Sequence, residues 1–266
     1  MGWMAVARAP LASRRASARR EREREIVAAT RLLFDERGLQ DAQMEDIAQA
    51  VGINKALIYR CFASKEELYV LTLTSYLADL AERLDGLADD LASAEGENRT
   101  GGVAPAEGVA PDAGRDPAAR LDPAARLEEG WRRYTDFCIE HPAFVDCGLS
   151  LMRQPAEELR ESISESVWLR LGVGMASCLG RLSQILALGA REGVFDIPDP
   201  DFAANYLYTQ TLGAMQLARV GVGVRPSAGG GAGGVPEIFA IDARRVQEAC
   251  IADVLAAVGA PRGARA

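Results

Sequence analysis

The sequence predicts an all-α protein: an N-terminal three-helix head built around a helix-turn-helix, followed by a larger helical bundle. Three observations carry that expectation. Ala and Leu dominate the periodic segments, while runs rich in Val, Ile, Thr and Tyr are nearly absent, which favours helices over strands. Apolar residues recur at helical spacing in one segment after another. Two short segments of this kind are joined only by Val51-Gly52-Ile53, the length of turn that a helix-turn-helix requires. With 266 residues, 48% of them apolar, the chain can bury a sizeable core in one large or two smaller domains.

Taken in order, Glu21 to Arg37 reads as the first helix. Ile26, Ala29, Thr30, Leu33 and Phe34 share one face, and Gly38 follows as a stop. The second helix, from about Met44 to Ala50, turns Met44, Ile47, Ala48 and Val51 inward. Gly52 breaks the chain, and Asn54 caps a third helix that ends near Cys61-Phe62. Ser64 opens a fourth, with Glu67 at the third position of a capping box, running to about Leu91. Residues 93–122 are rich in Gly, Pro, Ala, Asp and Glu, carry no apolar stripe, and read as a disordered insertion. Helices resume from Pro123 to His141, from Pro142 past Met152, and from about Glu158 to Arg191. Asp199-Pro200 opens another to about Val220. A Gly-rich linker over 221–236 follows, disordered from 223, and Asp242 caps a last helix to Val258.

The second helix of a helix-turn-helix can lie in the DNA major groove and present side chains to base edges. Ile53, Ile58 and Phe62 are expected to face the core. Asn54, Lys55, Ala56, Leu57, Tyr59 and Arg60 are then left for the groove and its walls. The stretch from Met44 to Leu68, MEDIAQAVGINKALIYRCFASKEEL, resembles the signature of the tetracycline-repressor (TetR) family. Ile-Ala, Val-Gly-Ile, Ile-Tyr, Phe and Lys-Glu-Glu-Leu stand at the matching spacings, and the helix from Arg24 with Phe34 and Gly38 extends the match upstream.

The resemblance implies three parts: a disordered basic arm at 1–20, a DNA-binding domain at 21–68, and a ligand-binding and dimerisation domain at 69–266. It implies that Lys55 and Tyr59 hold phosphates, and that Lys65 holds another, aided by the amides at the start of the fourth helix. Asn54, Ala56, Leu57 and Arg60 would sit nearest the bases. Phosphate contacts fix register, while base edges carry sequence. Three departures from the pattern stand out. Gln43 occupies the place where the family usually has a Thr that caps the second helix and touches phosphate. Cys61 stands where His or Tyr is usual. Ala56-Leu57 replaces Gly-Thr or Gly-Ser, and Leu57 either contacts a thymine methyl or turns inward. Lys55 and Lys65 are the only lysines in the chain.

The function implied is a ligand-responsive transcriptional regulator, a repressor that binds a palindromic operator as a homodimer and is released by a small-molecule effector of unknown identity. The alternatives are an activator or a non-sensing architectural DNA binder. By the same resemblance the last two helices form a four-helix bundle across a dimer axis, and Ala203, Leu207, Thr211, Ala214 and Ala218 offer a small-residue stripe for close approach. Trp131, Tyr134, Phe137, Met152, Trp168 and Met175 are candidates to line the ligand cavity or simply to fill the core. His141, before Pro142, reads as a capping residue ahead of a ligand contact.

Charge distribution agrees with a DNA-contacting end. The net charge is −8, but residues 1–68 hold 12 basic and 10 acidic residues, so the acidity lies in the remainder. Five Cys without a CxxC pair and one His make a metal site or cofactor unexpected; the thiols read as buried small residues. Catalytic motifs of the GxSxG or phosphate-loop type are absent, so no enzyme is expected. No apolar run reads as long enough for the roughly 20 residues of a membrane span, and no secretion signal is visible, so a cytoplasmic location is expected.

Overall fold

In a computed structural model of the chain, residues 11–39, 42–87, 122–226 and 235–260 are described. Their elements are α1 (Leu11–Arg37), α2 (Met44–Val51), α3 (Lys55–Cys61), α4 (Lys65–Leu84), α5 (Pro123–Glu140), α6 (Pro142–Leu151), α7 (Ala156–Ser162), α8 (Glu165–Arg191), α9 (Pro200–Val220), β1 (Val222–Arg225), β2 (Glu237–Ala240) and α10 (Ala243–Ala257). They form two compact units. The first comprises the chain up to Ser75 together with Asp146–Leu171; the second comprises Tyr76–Val145 and the chain from Gly172 on. The boundary thus falls inside α4, α6 and α8, and the first unit takes in more of the chain than the expected head at 21–68.

Several elements differ from expectation for identifiable reasons. α1 begins at Leu11, inside the segment expected to be a disordered arm, since Ala and Arg are good helix formers even without an apolar stripe. The helix expected from 158 to 191 is two: Ile163 is extended (φ −129°, ψ 157°) and separates α7 from α8. Part of the expected linker forms an antiparallel hairpin in which Val222 faces Ala240 and Val224 faces Ile238. Strands of four residues flanking a glycine run give too weak an alternation to be read. The expected insertion lies outside the described residues except for Asp122, the N-cap position of α5. Finally, α8 is long and apolar enough by composition to cross a membrane, against expectation. It is a core helix of this fold. Its Cys178, Leu182, Ile185 and Leu186 are buried, and its Arg170 and Arg181 pair with Glu23 and Asp85.

The core of the second unit is aromatic. Trp131, Tyr134, Phe137 and Phe144 are buried almost completely. Tyr134 stacks on Tyr208 with ring centroids 5.3 Å apart. Polar groups drawn into this core are paired. The Trp131 indole N–H donates to Thr211 Oγ1 at 2.9 Å, joining α5 to α9. The Gln247 side-chain amide donates to Thr135 Oγ1 at 2.8 Å, joining α10 to α5. Buried Arg126 donates to the Leu87 carbonyl at 2.9 Å. Gly189 admits the Phe195 ring so closely that a Cβ there would lie 2.0 Å from it. Pairing of this kind is what makes a buried polar group tolerable.

Thr211→Val keeps the shape of the side chain and leaves the indole N–H buried without an acceptor. The expected result is a loss of about 1–3 kcal/mol, read as a lower urea midpoint at constant slope. A loss below about 0.5 kcal/mol would mean that this hydrogen bond does not hold α5 to α9.

Candidate nucleic-acid interface

The interface is built from the turn outward. Met44, Ile47 and Ala48 of α2 and Ile58 of α3 are buried against α1, whose Ile26, Thr30, Leu33 and Phe34 face inward. α2 starts at Gln43, whose backbone N–H donates to Asp46 Oδ2 at 3.0 Å. It stops at Gly52, where φ is +72°. There the Ile53 N–H returns to the Ala48 carbonyl at 2.9 Å, a closure that needs a left-handed residue. An Ala at this position would be strained although nothing lies within 4 Å of the added carbon. Arg37 pairs with Asp46 at 3.3 Å and ties the end of α1 to α2.

The candidate residues take distinct positions. Asn54 is the N-cap of α3, its Oδ1 accepting the Leu57 N–H at 2.9 Å, so its side chain is committed to the helix rather than free for a base. Ala56, Tyr59 and Arg60 are exposed, Leu57 is half-buried, and Gln43 is exposed at the start of α2. The Lys55 ammonium is held by Glu45 of α2 at 2.5 Å. The hydrogen bond from Lys55 holds Glu45 below the usual carboxylate range, and Glu45 in turn raises Lys55. Lys65 is half-buried at the first turn of α4, its ammonium 5.0 Å from the centre of the Tyr69 ring. Tyr59 and Arg60 line a polar cleft of about 740 Å³ including its open mouth, together with Arg19, Glu23, Ser164 and Arg170. Arg19 reaches the Cys61 carbonyl at the end of α3, a neighbour that the expectation of a disordered arm missed.

The start of α4 is fastened by Glu67. Ser64 Oγ accepts the Glu67 N–H at 3.0 Å, and the Glu67 carboxylate accepts the Ala63 N–H, close to the expected capping box. The same carboxylate accepts from the Ser164 hydroxyl, and Ser64 Oγ donates to the Ser162 carbonyl at 3.2 Å. No sequence pattern announced this clasp between residues about a hundred positions apart.

The six candidate ligand residues are divided between the two units. Trp131, Tyr134 and Phe137 are core of the second unit, where Met175 is half-buried; Met152 is exposed and Trp168 half-buried in the first. Met152 and Trp168 are not among the residues lining the cleft at Tyr59 and Arg60. His141 is the C-cap of α5, its backbone N–H donating to the Phe137 carbonyl at 2.9 Å. Cys138, Cys147, Cys178 and Cys250 are buried. Burial pushes the Cys147 and Cys178 thiols up to about 12, so thiolate is scarce at neutral pH.

If Glu45 competes with phosphate for Lys55, removing its charge should help DNA binding only through that lysine. Glu45→Gln is expected to tighten DNA binding about two- to fivefold at low salt, the scale of one exposed ion pair, and to have no effect beside Lys55→Ala. Equal gains in both backgrounds, measured by a double-mutant cycle, would reduce Glu45 to a general field effect.

The profile of "Bacterial regulatory proteins, tetR family" matches residues 26–71, which hold all of α2 and α3 and the start of α4. The activator FasR of Mycolicibacterium smegmatis is 36% identical over 62 residues, and the match spans 23% of this chain and 28% of that protein. Solved structures extend the likeness in fold alone. PfmR of Thermus thermophilus, a TetR-family regulator, is 20% identical with a TM-score of 0.51, over 91% of this chain and 97% of that one. RolR, solved in complex with resorcinol, is 16% identical with a TM-score of 0.57, over 92% of this chain and 91% of that one. Joined to the geometry of α2, Gly52 and α3, the match identifies residues 26–71 as a DNA-binding helix-turn-helix head of the TetR family.

Proposed function

We propose that this regulator is a homodimeric repressor that docks both α3 helices on a palindromic operator in the bacterial cytoplasm and is released by a small molecule. The observation that carries the reading is the exposed row of Lys55, Ala56, Tyr59 and Arg60 on a helix whose other face is locked by Ile58 and Phe62. Lys55, Tyr59 and Lys65 would hold phosphates, and Arg60, Ala56 and Leu57 would meet bases. Gln43 stands at the start of α2, where a backbone phosphate would pass. Two such helices must enter successive major grooves about 34–36 Å apart. A ligand relieves repression by favouring a state with a different spacing, with leverage limited to its differential affinity for the two states. RolR, whose structure holds resorcinol, supports the ligand-responsive reading. FasR is an activator and favours the second reading, activation, since a shared head sets docking and not the sign of control.

The dimer face proposed here differs from the stripe read in the sequence. Leu207 and Thr211 are buried within their own protomer, and Ala203, Ala214 and Ala218 are half-buried. The open side of α9 carries Phe202, Tyr206, Leu217 and Val220, from 45% to 67% exposed, at helical spacing around Gly213. On α10, Ala249, Ala252 and Ala256 are exposed. A surface of aromatic anchors and small residues suits a two-fold helical interface.

Sedimentation at micromolar concentration is expected to give a dimer. Tyr206→Glu with Leu217→Glu is expected to give a folded monomer with at least tenfold weaker operator binding. A monomeric wild type, or a double variant that remains dimeric, contradicts the proposed assembly.

A further inference from the structure

The first unit holds an apolar cavity of about 400 Å³ including its open mouth. Leu39, Val70, Leu73 and Leu151 supply apolar wall, and Tyr69 and Glu66 supply polar groups. The Tyr69 hydroxyl is shut off from solvent and has no hydrogen-bond partner among the described residues. Buried hydroxyls are ordinarily paired. One left single on a residue that lines a cavity marks where the polar group of an occupant would bind.

The geometry points to a binding site for a small neutral molecule: an apolar body bearing one hydroxyl or carbonyl group that pairs with Tyr69. An anion finds no basic side chain in the lining and meets the exposed carboxylate of Glu66. This inference rests on the reading that the protein answers to a small molecule, and it gives that molecule a place. The place has consequences for DNA. The Tyr69 ring meets Phe34 of α1 edge-on, with centroids 5.1 Å apart, and lies beneath the Lys65 ammonium. An occupant that shifts this ring shifts one of the groups assigned to phosphate.

The test is calorimetric titration of the full chain with cyclohexanol, cyclohexanecarboxylate and cyclohexylammonium, which share one ring and differ in charge. Cyclohexanol is expected to bind and the carboxylate is not. Tyr69→Phe, which removes only the hydroxyl, should weaken cyclohexanol about tenfold, the scale of a lost hydrogen bond. Leu151→Phe, which fills a half-buried part of the wall, should abolish binding, with folding checked by circular dichroism. No binding of cyclohexanol at millimolar concentration, tighter binding of either ion, or binding that neither substitution alters overturns the site. If cyclohexanol binds as expected and operator affinity stays unchanged at saturation, the cavity stands and the ligand-release reading falls.

Discussion

The Glu67 carboxylate is the interaction on which the architecture of the head depends. It is 5% exposed and accepts from the Ala63 N–H at the start of α4 and from the Ser164 hydroxyl at the start of α8. One side chain thereby sets where the recognition helix hands over to α4 and where α7 gives way to α8. A buried acceptor with this many donors cannot be moved without leaving some of them unpaired, and unpaired buried groups are costly. The direction of α3 follows from this anchor and from the left-handed turn at Gly52. With Phe62 and Ile58 pinned inward, Tyr59 and Arg60 have nowhere to go but out.

The electrostatics of the face are set locally. Three basic groups of the head are engaged before DNA arrives: Lys55 by Glu45, Lys65 by the face of Tyr69, and Arg19 by the Cys61 carbonyl. In the proposed docking, a duplex would exchange partners with these groups. The rest of the chain is acidic, which disfavours non-specific contact with nucleic acid outside the head.

Much of this was legible in the sequence wherever the cause is local. Gly52 needs a positive φ, Asn54 and Ser64 are caps that reach three residues ahead, and the face of Ile26, Thr30, Leu33 and Phe34 follows from helical period alone. What was not legible depends on distant partners. Ser164 breaks a helical pattern because Glu67, far away in sequence, holds it. The stripe at Leu207 and Thr211 reads equally well as interface or core, and the indole of Trp131 decides for core. The hairpin at 222–240 escaped because its strands are too short for an alternation to register. The aromatics of α5 carry no label separating cavity wall from core, and the structure shows Trp131, Tyr134 and Phe137 buried.

The central claim is that Lys55 and Lys65 fasten the head to phosphate while α3 reads the groove. Its most direct test is affinity against salt concentration for the wild type, Lys55→Ala and Lys65→Ala, on a selected operator and on a scrambled duplex. The account predicts that each variant binds both duplexes more weakly and that the slope of log affinity against log salt falls by about 0.9 for each phosphate the variant no longer neutralises. Unchanged affinity and slope in both variants would contradict the proposed docking.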